Sequence, residues 1–284
     1  MTITKELNLW EKEVYVYKEM FPAIELKRFS IFFTYLNNYI LLIFSNKLHL
    51  NAPAHADLVF ADINNIDNKG ILLTDLSLAG FEPGNSSSAP DLATIELLMS
   101  QLAKFHAHSY DHVENIGKVP ILEDNVPMAG KNIHSEDGLL DLLNSLQPAN
   151  EDYSSRLKSL FSTEAYFDMC RRVFGARSDK FCAVCHGSPW LENSMVWRDR
   201  EEVREVVYVN YQQARYAQPA TDIAILLYTS TNKQFRLDNI SRLLRNYHRT
   251  LMETLTALGH TGINVYPFSD LVNDYQVDSN MTIQ

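Results

Sequence analysis

Residues 182–193 read C-A-V-C-H-G-S-P-W-L-E-N, and the two halves of this stretch point to different chemistries. Cys182-x-x-Cys185-His186 has the letters of a c-type haem attachment site. The part from His186 to Asn193 has the layout of a phosphate-transfer loop without its acid. The residues around the cysteines decide between them. Residues 181–185 are apolar and β-prone, so a strand is expected there. Side chains alternate along a strand, so Cys182 and Cys185 face opposite sides and cannot share a haem edge or close a disulfide. The cysteines therefore read as core residues. Ser188 also lacks the G-x-S-x-G setting of a hydrolase nucleophile, which leaves the right half as the signal.

Downstream, residues 194–198 and 203–208 alternate like two strands about the charged turn 199–202, and the second runs into Asn210-Tyr211-Gln212. Helical patterning resumes at Ala220, with Asp222 in its first turn. In a phosphotransferase this order has a physical reason. The loop carries a general base for the attacking hydroxyl, an Asn farther along it binds Mg²⁺, and a carboxylate after the next hairpin grips the metal. The spacing fits, and the charges do not.

Upstream, residues 11–21 place Val14, Tyr17 and Phe21 at helical spacing, with Pro22 as the expected stop. Residues 57–64 and 70–76 read as a β-hairpin, and residues 91–109 as a long helix with Asp91 as its N-cap. His106, His108 and His112 lie on that helix. An i,i+4 pair such as His108 and His112 shares one face and could ligate a metal, but structural or surface roles are the preferred reading. The uncharged run 29–46 just reaches the roughly 18 residues of a membrane span. Asn37 and Asn38 at its centre favour a buried helix or strand pair instead. The element order, a helix, a small sheet, then a helical region interrupted by one hairpin, gives an α+β fold with unequal lobes.

The 284 residues carry 25 Lys+Arg against 35 Asp+Glu, a net charge of −10. Without a concentrated basic patch, that balance disfavours nucleic acid and acidic membranes as partners. Residues 1–9 contain no apolar signal core, so a cytoplasmic location with reduced cysteines is expected.

At the residues quoted, the sequence resembles the ecdysteroid kinase-like family, relatives of choline and aminoglycoside kinases with a protein-kinase-like fold. The family's H-G-D-x-W-x-x-N stands here as His186-Gly187-Ser188-Pro189-Trp190-Leu191-Glu192-Asn193, and its D-F-Q-x-x-R-Y as Asn210-Tyr211-Gln212-Gln213-Ala214-Arg215-Tyr216. Ala220-Thr221-Asp222 is similar to its A-T-D, and residues 102–109 (LAKFHAHS) to its L-A-x-F-H-A-x-S helix. Trp10, Glu13, Tyr17 and Pro22 fit the helix whose Glu pairs with the ATP-binding Lys, and residues 70–81 resemble the hinge, with Thr74, Asp75 and Leu76 at nucleotide-contacting positions.

The resemblance implies a two-lobed kinase-like fold, with a reduced N-terminal lobe over residues 1–76 and a mostly helical C-terminal lobe over 77–284. It implies ATP- and Mg²⁺-dependent phosphorylation of a hydroxyl group on a small molecule of the ecdysteroid type. Ser188 would be the base position, Asn193 and Asn210 the metal positions, and Glu13 with residues 74–76 the nucleotide positions. His186, Trp190, Gln212 and Asp222 would give structural support, Asp222 by hydrogen-bonding the loop.

Three departures alter the expected activity. Ser188 and Asn210 replace two aspartates; losing a general base costs about 10²–10⁴ in rate, and Mg²⁺ usually demands at least one carboxylate. Lys5 lies only eight positions before Glu13, too close to be a separate strand's lysine facing that helix. The expectation is a catalytically impaired, pseudokinase-like module with ATP and Mg²⁺ binding weak or lost. The alternative is an active small-molecule kinase in which Glu192 or Asp199 supplies a missing carboxylate.

Overall fold

A computed structural model describes residues 9–24, 53–62, 70–84, 90–118, 120–122, 181–260 and 265–283. The apolar run 29–46 and Lys5 lie outside the described residues. No helix among those described is long and apolar enough to cross a membrane.

Helix α1 (Leu9–Tyr15) continues without a break into a π-helical turn, Val16–Met20, closed by a hydrogen bond from the Phe21 N–H to the Val16 carbonyl. Helical backbone persists to residue 24, so Pro22 does not stop the helix as the sequence suggests. A proline ring clashes with the carbonyl four residues back and donates no hydrogen bond. The wider π turn just ahead of Pro22 supplies the room. Val16, Tyr17, Met20 and Phe21 form the buried face.

Strands β1 (Leu58–Asp62) and β2 (Gly70–Leu73) pair antiparallel, as expected for the hairpin, with an irregularity between Leu58 and Phe60. Residues 74–76 do not extend β2 as expected. Asp75 instead caps a 3-10 turn, Leu76–Ala79, through a hydrogen bond from the Ser77 N–H, and Gly80 ends the turn at φ +85°. An acid that caps a turn takes the chain out of the strand.

Strand β3 (Phe81–Pro83) was not apparent from the sequence. It joins the expected hairpin, β5 (Ser194–Asp199) and β6 (Glu202–Tyr208), in an antiparallel sheet of order β3-β5-β6. Strand β4 (Ala183–Cys185), shorter than expected, pairs with an equally unforeseen β7 (Arg215–Ala217). Three residues are too few to show a period.

Helix α2 (Leu92–Ile116) is capped as expected, Asp91 Oδ1 accepting from the Thr94 N–H at 2.7 Å, and it runs on to Gly117 at φ +83°. It packs along α4 (Lys233–Ala257), with α3 (Ala220–Ser230) and α5 (Phe268–Ile283) completing the helical part. The result is the expected α+β architecture, small sheets followed by a helical C-terminal part.

The core brings α1 to the loops between the small sheets. Tyr211, fully buried, meets Tyr17 and Phe21 edge-on at 5.5 and 5.4 Å, Phe105 at 5.2 Å and the His186 ring at 4.5 Å. Aromatic rings in these offset and edge-on arrangements gain stabilisation beyond their burial. The tyrosine after Asn210 therefore holds three segments together.

Candidate active site

The loop after β4 turns at Gly187, φ +88°. A side chain there is excluded twice over, because a Cβ would sit 2.0 Å from the Gln213 carbonyl oxygen and 2.6 Å from Arg215 Nη1. The close approach is used: Arg215 Nη1 donates to the Gly187 carbonyl at 3.2 Å and to the Gln213 carbonyl at 3.3 Å. Arg215 is buried on β7, so the two short strands carry the loop and its clamp together.

Asp222, fully buried in the first turn of α3, holds the loop's main chain. Oδ2 accepts from the His186 N–H at 2.6 Å and Oδ1 from the Gly187 N–H at 3.0 Å. His106 Nε2 lies 3.1 Å from Oδ2. Burial pushes this carboxyl upward, but the His106 hydrogen bond, with the nearby Arg215 guanidinium, outweighs it and holds the pKa below the ordinary value.

His186 Nε2 faces the Val209 carbonyl at 3.0 Å, which requires an N–H there, and Nδ1 accepts from the Ser188 N–H at 3.3 Å. The ring is therefore the neutral Nε2–H tautomer. Burial lowers its pKa from 6.5 to about 4, against an upward pull from Asp222. A depressed histidine gives stability that is present above the unfolded pKa and lost as pH falls. Between about 6.5 and 4 the unfolded chain binds a proton that the native ring refuses. Urea midpoints measured across this window should show a loss on the order of 3 kcal/mol from this residue, and His186→Gln should flatten that part of the profile.

Ser188, Asn193 and Asn210 are brought together. Asn193 Nδ2 donates to the Ser188 carbonyl at 2.8 Å and to Ser188 Oγ at 3.2 Å, and Asn210 Nδ2 donates to Asn193 Oδ1 at 3.1 Å. Asn210 adopts a left-handed backbone, φ 68° and ψ 63°, which asparagine tolerates better than most residues. Its Oδ1 is buried with no hydrogen-bond partner among the described residues. The amide orientation thus follows from what Nδ2 reaches: turned over, its oxygen would face Asn193 Oδ1, acceptor against acceptor.

The remaining predicted positions divide. Glu13 on α1 is buried beside the Tyr211–Gln212 turn; burial raises its pKa, and hydrogen bonds from the Gln212 side chain and the Tyr211 main chain pull it back. Gln212 and Glu13 are therefore joined. Trp190 anchors the turn by its carbonyl, which accepts from the Asn193 N–H at 3.0 Å, while the residue is 37% exposed.

Residues 74–76 are occupied locally. Thr74 Oγ1 accepts from the Asp57 N–H at 3.0 Å, and Asp75 accepts from both the Ser77 hydroxyl and its N–H, which hold its carboxyl below the usual range. Leu76 is half-buried against the core. Glu192 is exposed between buried Leu191 and Asn193. Asp199 ends β5 at the far tip of the hairpin, five residues from Ser194, about 17 Å along a strand.

The histidines of α2 are all buried, which corrects the surface alternative. His112 Nε2 meets the Tyr15 hydroxyl at 2.9 Å, tying α2 to α1. Cys182 and Cys185 are both buried. Among the described residues, the ligand atoms of His106, Cys185 and Asp222 lie within 4.8 Å of one another. Protein partners already engage all three: the Cys185 thiol, its pKa pushed well up by burial, donates to the Ala217 carbonyl at 3.5 Å. The His106–Asp222 pairing was missed because 116 residues separate its members.

The model of the ecdysteroid kinase-like family matches residues 1–260. The chain belongs to the ecdysteroid kinase-like family. The match covers the loop, the hairpin and the Asn210 turn that build this site. Among solved structures, this family member is similar to an ethanolamine kinase from Plasmodium vivax, 12% identical, covering 94% of this chain and 73% of that one with a TM-score of 0.40. It is also similar to a choline/ethanolamine kinase family protein from Mesorhizobium loti, 12% identical over 81% of this chain and 75% of that one, TM-score 0.36. A third is an aminoglycoside phosphotransferase from Streptomyces rimosus in complex with ADP and streptomycin, 11% identical over 84% and 82% of the two chains, TM-score 0.36. No curated protein matches the chain.

The site's donor set does not fit the Mg²⁺ that kinase chemistry requires. Ser188, Asn193 and Asn210 offer neutral oxygens only, and one of these, Asn193 Oδ1, already accepts the Asn210 amide. Mg²⁺ gives up its waters reluctantly and is ordinarily held by one or two carboxylates.

Proposed function

We propose that this kinase-like protein is impaired in phosphotransfer and acts as a binding or interaction module for a small molecule, a hydroxylated ligand of the ecdysteroid type being the class its family suggests. The observation that carries this reading is the 3.1 Å hydrogen bond from Asn210 Nδ2 to Asn193 Oδ1. A carboxylate at residue 210 would face that oxygen as a second acceptor, an arrangement suited to a cation between them. The amide instead puts its own N–H between the two positions, so the loop closes without an ion.

The second support is Ser188. Its hydroxyl receives the Asn193 amide and the residue is 1% exposed. A serine hydroxyl is a very weak base at neutral pH, so a substrate alcohol meets no group that takes its proton. Loss of the base and loss of the metal fall on the same chemical step.

Purified full-length protein given ATP, Mg²⁺ and ecdysteroids is expected to show no transfer of the terminal phosphate. Transfer that is abolished by Asn193→Ala would count decisively against this reading.

A further inference from the structure

The H-G-S loop is held from three helices through a buried line of hydrogen bonds. Asp222 of α3 receives the His186 and Gly187 N–H groups at 2.6 and 3.0 Å. His106 of α2 meets the same carboxylate at 3.1 Å through Nε2, and its Nδ1 meets the Tyr247 hydroxyl of α4 at 2.7 Å. His106, Asp222 and Tyr247 are each 0% exposed. A carboxylate alone can turn about its own bond, which would exchange the two oxygens under the loop. The His106 N–H arriving at Oδ2 fixes that rotation and leaves Oδ1 for Gly187. Tyr247 in turn fixes the imidazole, whose edge it also meets at a ring separation of 5.9 Å.

We propose that His106 and Tyr247 are positioning residues for the candidate site, acting on the loop through Asp222. Tyr247 donates to Nδ1, Nε2–H donates to Asp222, and Asp222 holds the main chain that carries Ser188. The loop is thereby shaped from the helical core, and its backbone geometry requires neither a metal nor a ligand. Buried hydrogen bonds to a carboxylate are stronger than neutral ones, which suits this line to hold a loop. The same atoms include the potential ligands for a metal with Cys185, but that thiol donates to Ala217 and Asp222 already accepts three hydrogen bonds. The inference does not depend on the loss of phosphotransfer, so either can fail without the other.

The test is residue-resolved amide exchange on the full chain, with ¹⁵N spectra of the histidine rings. His106→Leu should speed exchange of the His186 and Gly187 amides by about tenfold or more relative to those of Val206 and Tyr208. His106→Gln, which keeps a donor, should restore most of the protection. Leu251→Ala, in the fully buried face of α4, serves as a core control that speeds both groups alike. Tyr247→Phe, which removes one oxygen, should speed the loop amides about threefold and move the ¹⁵N resonance of His106 Nδ1, which loses its hydrogen bond, while the Nε2–H stays on Asp222. The proposal is overturned if His106→Leu reproduces the uniform pattern of Leu251→Ala. Should His106→Leu fail to fold, Tyr247→Phe decides: unchanged loop amides and an unchanged Nδ1 resonance overturn it equally.

Discussion

A Ser188→Asp/Asn210→Asp double variant is expected to gain a Mg²⁺-dependent rise in melting temperature that the wild-type chain does not show. The reason lies in the hydrogen bonds that the substitutions remove. Aspartate at 210 cannot donate, so Asn193 Oδ1 loses the partner it now has at 3.1 Å and faces a carboxylate instead. Aspartate at 188 adds a second negative charge at a position that is 1% exposed. Without a cation the variant should be less stable than wild type, because like charges repel and buried carboxylates lose their water. With Mg²⁺ at 100 times its dissociation constant, binding to the folded state alone returns about 2.7 kcal/mol. Equal insensitivity of both proteins to Mg²⁺ would mean that more than these two side chains has been lost from the site.

The other large effect belongs to Asp222→Asn. This carboxylate accepts from two main-chain N–H groups and from His106, all in the buried interior. An amide supplies one acceptor oxygen, so its NH₂ group is set against another donor whichever way it is turned. The change also removes the negative charge beside buried Arg215. Removing one partner of a buried charge network costs about 3–5 kcal/mol. Urea denaturation should show a loss of this size, and a loss below about 1 kcal/mol, the value of an ordinary hydrogen bond, would mean that Asp222 is not the loop's main anchor.

Much of the architecture is legible along the chain because it is local. Asp91 announces α2, since a capping oxygen and the N–H it serves are three residues apart. The alternation through residues 194–208 gives the β5–β6 hairpin, because its two strands are neighbours in sequence. The π turn before Pro22 leaves no local mark, as the helical face reads the same on either side of it. β3 and β7 each acquire their strand character from a partner elsewhere in the chain.

The site is legible in a different way. The motif spacing brings Ser188, Asn193 and Asn210 into view together, but it does not tell how their amides pair, since that depends on the left-handed backbone at Asn210. His106 stands out in the sequence as a possible ligand. Its partners, Asp222 and Tyr247, are 116 and 141 residues away, and no pattern within α2 points to either.

The claim beneath all of this is that neutral side chains have closed the place where a divalent ion would bind. Calorimetric titration of Mg²⁺ with ATP into the purified wild-type protein tests it most directly. No saturable heat that depends on Mg²⁺ is predicted up to millimolar nucleotide. A saturable, Mg²⁺-dependent heat that Asn193→Ala abolishes would contradict it.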